Sequence, residues 1–88
     1  MAETGYQLRY TAQAVKDIKS LDPVVKKRLG ATLERYRTDP FKYAVKLQKS
    51  AMVGQYRFRI GHYRVIFDRH GQALIILRVM HRREVYQR

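Results

Sequence analysis

Tyr6-Gln7-Leu8-Arg9-Tyr10 alternates apolar and polar side chains between aromatic ends, the period-two pattern of a half-buried strand. Thr11 then stands where a helix N-cap belongs. Ala14, Val15, Ile18 and Leu21 come next at helical spacing, predicting a short helix over residues 12–20. Asp22-Pro23 reads as an N-cap with proline in the first turn, where its missing N–H leaves nothing unsatisfied. Val25, Leu29, Leu33 and Tyr36 line one face of this second helix, and Lys26, Lys27, Arg28 and Arg35 occupy most of the other. Asp39-Pro40 disfavours continuation, so the helix should end near Thr38. Together the two segments predict an antiparallel helical hairpin.

Residues 40–54 predict a loop, with Leu47 tucked into the core. After Gly54 the pattern changes to strands. Tyr56-Arg57-Phe58-Arg59-Ile60 and Tyr63-Arg64-Val65-Ile66-Phe67 flank Gly61-His62, a two-residue link with glycine first, as a type II′ turn requires. Leu74-Ile75-Ile76-Leu77 is a continuous apolar run suited to a central strand covered on both faces, preceded by a turn at Arg69-His70-Gly71-Gln72. Val85 and Tyr86 either extend this last strand or begin a tail. The expected fold class is α+β, a helical hairpin packed on a small, mostly antiparallel sheet in the order β-α-α-β-β-β.

At 88 residues the chain reads as one domain, 1–88. An apolar fraction of 45% against 30% charged residues permits a core and argues against disorder. That core is small, and a sizeable internal cavity would remove much of what holds it together. Chemistry is therefore expected on an open face. Nineteen Lys and Arg against seven Asp and Glu leave a formal charge of +12. Such a balance points to a polyanionic partner: nucleic acid first, then an acidic protein, then an anionic membrane surface. Solubility alone is the plainer explanation. With no cysteine there is no disulfide framework, no thiolate-held zinc and no thiol nucleophile. The start, Met1-Ala2-Glu3-Thr4-Gly5, lacks a basic and apolar leader, and no apolar run approaches the roughly 18 residues of a membrane span. A soluble cytoplasmic protein without a membrane partner is the expectation.

The two basic residue types are segregated. All seven lysines lie before Gly54, whereas the remainder carries Arg57, Arg59, Arg64, Arg69, Arg78, Arg82, Arg83 and Arg88 against only Asp68 and Glu84. Arginine offers a planar donor fork that grips phosphate and stacks on bases. A tight Gly61-His62 turn sets Ile60 opposite Tyr63, Arg59 opposite Arg64, Phe58 opposite Val65 and Arg57 opposite Ile66. Arg57, Arg59 and Arg64 then share one face. Like charges directly opposite are destabilising, so their pairing predicts an anion site; the alternative is that they splay into solvent along their alkyl stems. Arg82 and Arg83 continue from the last strand toward the same face, and Tyr86 adds an aromatic plane, or else serves as a core or edge tyrosine. Guanidinium with an adjacent ring is the pairing used on single-stranded RNA.

Other chemistries find little support. His62, His70 and His81 lack metal-ligand spacing, and Ser20 and Ser50 lack a nucleophile-elbow context. No GxGxxG or Walker loop, RRM motif or KH loop occurs. The expected site holds neither metal nor cofactor, with His81 as an alternative acid or base beside the arginines or else a structural residue.

The hairpin beginning Thr11-Ala12-Gln13-Ala14-Val15-Lys16-Asp17-Ile18, the strand pair from Tyr56 to Phe67 and the ending Leu77-Arg78-Val79-Met80-His81-Arg82-Arg83-Glu84-Val85-Tyr86 together resemble the RelE/ParE superfamily of toxin-antitoxin toxins, on the RelE side. The resemblance spans nearly the whole chain. It implies a small endoribonuclease, independent of metal, that enters the A site of a 70S-type ribosome, cuts mRNA there and halts translation. An acidic RelB-like antitoxin would silence it. By position, Arg57 and Arg59 match the two basic residues of the hairpin's first strand, and Arg64 matches the arginine of its second. Arg82 matches the arginine after the last strand, and Tyr86 the C-terminal tyrosine that stacks on the target base. The implied roles are proton removal from the ribose 2′-hydroxyl for Arg59, phosphorane stabilisation for Arg57 and Arg64, and assistance to the leaving 5′-oxygen for Arg82. Arg78 and Arg83 are further RNA-binding candidates. Two departures stand out: Arg59 replaces a lysine of some relatives, and Met80 stands where many have glycine. The ParE branch, which targets DNA gyrase, and a plain RNA-binding relative are the alternative functions.

Overall fold

Thr11 opens the first helix as its type predicts. Its hydroxyl accepts the Ala14 N–H at 3.0 Å and so satisfies one of the donors a helix start leaves without partners. The computed structural model describes residues 5–47 and 54–82. Within them, β1 (Gln7–Tyr10) leads into α1 (Ala12–Lys19), and α2 (Pro23–Tyr36) begins after three residues. Three antiparallel-paired strands complete the sequence: β3 (Tyr56–Ile60), β4 (Tyr63–His70) and β5 (Ala73–His81), preceded by the two-residue β2 (Val45–Lys46). The element order is the expected β-α-α-β-β-β with this short strand added.

The sheet runs β1-β5-β4-β3-β2, and only the β1–β5 pair is parallel. β1 thus lies at an edge, alongside the last strand rather than a sequence neighbour. One sheet face carries Phe58 and Ile60 from β3, Val65 and Phe67 from β4, and Leu74, Ile76 and Val79 from β5, closed over by Ala14, Leu29 and Leu33 of the helices. Stacking of Phe58 on Phe67 at 4.4 Å forms its aromatic centre.

Several expectations are corrected. The segment from residue 40 is not all loop: Pro40–Lys42 forms a 3₁₀ turn and β2 pairs with Arg57 and Tyr56. Two residues are too few to show a period. Leu47 is only half-buried, and Val15 is exposed. Asp22 precedes α2 but makes no capping bond through its side chain, and α2 ends at Tyr36 with Arg37 as its cap. The apolar run of β5 is fully buried on one face only, through Leu74 and Ile76, while Ile75 and Leu77 are half-buried. Val85 and Tyr86 lie outside the described residues.

The Gly61-His62 link folds as expected. Gly61 has φ +60 while no non-glycine residue has positive φ among those described, which fits a type II′ rather than a I′ turn. The register is the predicted one, Ile60 to Tyr63 through Tyr56 to Phe67. Between β4 and β5 the register breaks: Ile66 faces Arg78 but Phe67 faces Ile76. Leu77 is the extra residue of a β-bulge. No helix among the described residues is long and apolar enough to cross a membrane.

Candidate nucleic-acid interface

Alternation along β3 and β4 puts Phe58, Ile60, Val65 and Phe67 under the helices, so Arg57, Arg59 and Arg64 occupy the opposite face. A two-residue turn makes Ile60–Tyr63 the hydrogen-bonded closing pair, which leaves Arg59–Arg64 as a non-bonded pair. Such pairs have Cα atoms roughly 4.5 Å apart and their side chains at closest approach. Two guanidiniums are therefore rooted side by side. Arg59 is exposed, Arg57 half-buried, and Arg64 only 3% exposed. The Nε of Arg57 is buried without a hydrogen-bond partner among the described residues, and neither Arg57 nor Arg59 has a carboxylate partner there.

The nearest acid on these strands is Asp68, at the far end of β4, and its Oδ1 accepts the Gln55 N–H at 2.8 Å. Toward that end the same face is roofed by the chain at Gly54. A Cβ on Gly54 would collide with Ile66 Cγ2 and approach Leu77 Cδ1 to 3.2 Å, and φ +122 independently favours glycine. On this face Arg59, beside the hairpin turn, is exposed, whereas Arg64 opposite it is buried. Charge concentrated on a partly dry surface interacts with an anion more strongly than it would in water.

The bulge at Leu77 decides which residues of β5 reach this face. Val79 faces Val65 on the core side, and Met80 faces Arg64. Arg82 lies one residue past the end of β5, its N–H donating to the His62 carbonyl at 2.7 Å. It is exposed, beside the turn. His81 goes the other way. Its ring meets Tyr63 edge-on at 5.2 Å and stacks near His62 at 6.1 Å. It lines a cleft of about 220 Å³ with Asp17, Ser20, Leu21, Tyr63 and Val79 on the helix side. The expectation of His81 beside the arginines is therefore corrected: strand alternation, once the bulge is counted, sets it on the far side of the sheet.

Arg78 is ion-paired while its side chain stays 42% exposed. Its Nε donates to Asp17 Oδ2 at 2.8 Å and its Nη2 to Oδ1 at 3.3 Å. Arg83 and Tyr86 lie outside the described residues. Asp17 is the residue that sequence reasoning missed. Its signal was its position, three residues after Ala14 and four before Leu21, on the buried face of α1. Burial alone would push its carboxyl up, but hydrogen bonds from Arg78, the Val79 N–H and Gln13, with the charge of Arg78, outweigh that and hold it below the ordinary aspartate value. A carboxyl lowered in the folded state stabilises the fold above the unfolded-state pKa, and loses that contribution as pH falls through the folded value. Asp17→Asn should accordingly flatten part of the acid limb of a stability-against-pH profile, measured by urea unfolding from neutral pH downward.

The paired arginines also make a prediction of opposite signs. Arg59→Thr removes the like charge facing Arg64 and places a β-branched residue in a strand. It should raise unfolding free energy by a few tenths to about 1 kcal/mol while weakening the binding of a polyanion. Thermal denaturation and a salt-dependent binding titration check the two halves.

Among the described residues, no group of three His, Cys, Asp or Glu side chains could hold a metal ion. Comparison with known proteins bears on this arrangement. A family model described as the ParE toxin of type II toxin-antitoxin system, parDE, matches residues 8–86. Toxin RelE3 of Methanocaldococcus jannaschii is 31% identical over 75 residues, covering 82% of this chain and 85% of that protein. The fold is similar to the toxin-antitoxin complex RelBE2 of Mycobacterium tuberculosis, with a TM-score of 0.74 and 25% identity over 89% of this chain and 99% of that one. It is also similar to the RelE-RelB complex of Pyrococcus horikoshii OT3, with a TM-score of 0.72 and 26% identity over 90% and 97% of the two chains. On the family model, the relative and the structures together, the chain belongs to the RelE/ParE superfamily as a RelE-like toxin of a type II toxin-antitoxin system.

Proposed function

We propose that this toxin is a ribosome-dependent endoribonuclease that cuts mRNA in the A site and so stops translation. The observation that carries the reading is the Arg59–Arg64 pair, like charges directly opposite on a face shared with Arg57. Like charges directly opposite cost a sheet stability, and a scissile phosphodiester lying over them offsets that cost.

RNA brings its own nucleophile. The ribose 2′-hydroxyl gives up its proton to water and attacks the adjacent phosphorus, the bond to the 5′-oxygen breaks, that oxygen takes a proton from water, and the products are a 2′,3′-cyclic phosphate and a 5′-hydroxyl. The work left to the protein is alignment and charge stabilisation, for which a metal is not required. Arg57 and Arg64 hold the phosphorane oxygens, and Arg82 assists the leaving 5′-oxygen. A guanidinium with pKa above about 12 is a poor general base at neutral pH, so Arg59 acts by stabilising the developing 2′-oxyanion. Tyr86 stacks on the target base, and Arg83 adds a phosphate contact. With no acid-base pair on this face among the described residues, the toxin relies on the ribosome to bend the message into line.

The partner that silences it is an acidic RelB-like antitoxin. Relatives solved as RelBE complexes and the net charge of +12 support that assignment. Primer extension on a translated message after induction should show discrete A-site cuts; uncut message during growth arrest would refute the reading. The match to a ParE family model supports a second reading, a non-nuclease toxin acting on DNA gyrase. A supercoiling assay run beside cell-free translation separates the two.

A further inference from the structure

Resting on the nuclease reading, we propose that Asp17 is a positioning residue: with Thr11, it clamps the bulge at Leu77 and so selects Met80, rather than His81 and Val79, for the arginine face and fixes the end of β5 from which Arg82 departs.

Strand parity makes the bulge decisive. Before it, Leu74 and Ile76 point into the core. Were β5 regular, every second residue from Ile76 onward would continue inward, sending Arg78 and Met80 to the helix side and Val79 and His81 to the arginines. One inserted residue reverses Val79, Met80 and His81. The observed register after the bulge, Ile66 to Arg78 through Tyr63 to His81, is the reversed one.

Bulges leave ladder groups without strand partners, and here α1 supplies substitutes. β1 stops pairing with β5 at Ile76, where the Thr11 N–H donates to the Ile76 carbonyl at 3.0 Å. The Thr11 hydroxyl donates to the next carbonyl, Leu77, at 3.0 Å. Asp17 Oδ2 then takes the Val79 N–H at 2.9 Å while both carboxylate oxygens hold the Arg78 guanidinium. Four consecutive residues, Ile76 to Val79, are thus held from one side by two residues of the α1 segment. The Asp17 side chain is only 10% exposed, and Gln13 donates to it at 3.0 Å from the preceding turn. No residue of this clamp lies on the arginine face. Its effect on chemistry passes through the placement of Arg82, whose own N–H bond to His62 is the last link of the ladder.

Asp17→Asn tests the idea in the full-length chain. An asparagine must turn its NH₂ toward donors either way, toward Arg78 Nη2 and Gln13 or toward Arg78 Nε and the Val79 N–H, and it also loses the charge that holds Arg78. Amide hydrogen exchange should accelerate at least about tenfold at Val79 and Arg82 while the amides of Phe58 and Phe67 keep their protection. Cross-strand proton contacts between Arg64 and Met80 should weaken in parallel. Message cleavage should fall about tenfold, and Asp17→Asn should add nothing to Arg82→Ala. Unchanged protection at Arg82, acceleration spread evenly over the core, or additive cleavage losses would each overturn the clamp. The exchange and cross-strand measurements do not depend on nuclease activity. A wild-type chain that leaves messages intact would therefore refute the nuclease reading while the register selected by Asp17 is still decided.

Discussion

Arg64→Met is expected to cut message cleavage by about 10²–10³-fold, the loss typical of removing one preorganised donor from a site that works by charge stabilisation. Arg64 is the buried member of the paired arginines, with Arg59 opposite it on one side and Met80 on the other. Methionine preserves much of the buried stem and removes the charge, so the fold should persist and the like-charge repulsion should disappear. Arg64→Lys restores charge without the planar fork and should recover only part of the activity. Primer extension in a translating extract measures the cleavage, and urea unfolding measures the fold. Full cleavage by the methionine variant would remove Arg64 from the mechanism.

Phe67→Ala should fail for a different reason. Phe67 is fully buried, stacked on Phe58 at 4.4 Å and on Tyr56 at 5.5 Å. Truncating a buried phenylalanine costs about 3–5 kcal/mol in lost transfer energy and cavity formation. Total stability for a domain of this length is about 4–13 kcal/mol, at 0.05–0.15 per residue, so the variant should unfold at a much lower urea concentration or not fold. Phe67→Leu should cost far less. Toxicity lost in Phe67→Ala would then accompany lost structure, whereas toxicity lost in Arg64→Met would not. Urea midpoints of all three variants make the separation.

The hairpin of β3 and β4 was legible residue by residue, because a two-residue turn with glycine first and strict alternation leave a single register that buries Phe58, Ile60, Val65 and Phe67 together. The same alternation is enough to put Arg57, Arg59 and Arg64 on one face. The α1 start at Thr11 and the Pro23 start of α2 were equally local, each dictated by what one residue type can do at a helix end. By contrast, β2 was invisible: Val45 and Lys46 carry no pattern and become a strand only because Arg57 and Tyr56 lie alongside.

The rest of the site was decided in three dimensions. Leu74-Ile75-Ile76-Leu77 is apolar throughout, so it contains no alternation from which an inserted residue could be detected, and the side taken by Met80 or His81 was undetermined. Parallel pairing of β1 with β5 joins segments more than sixty residues apart, and it is where that pairing ends that Thr11 and Asp17 take over the edge. By itself, the chain determined the two helices, the hairpin and the three arginines, all products of interactions between near neighbours. Tertiary structure determined the bulge and the facing of Val79, Met80 and His81, because a strand's parity depends on the partner it meets and not on its own side chains.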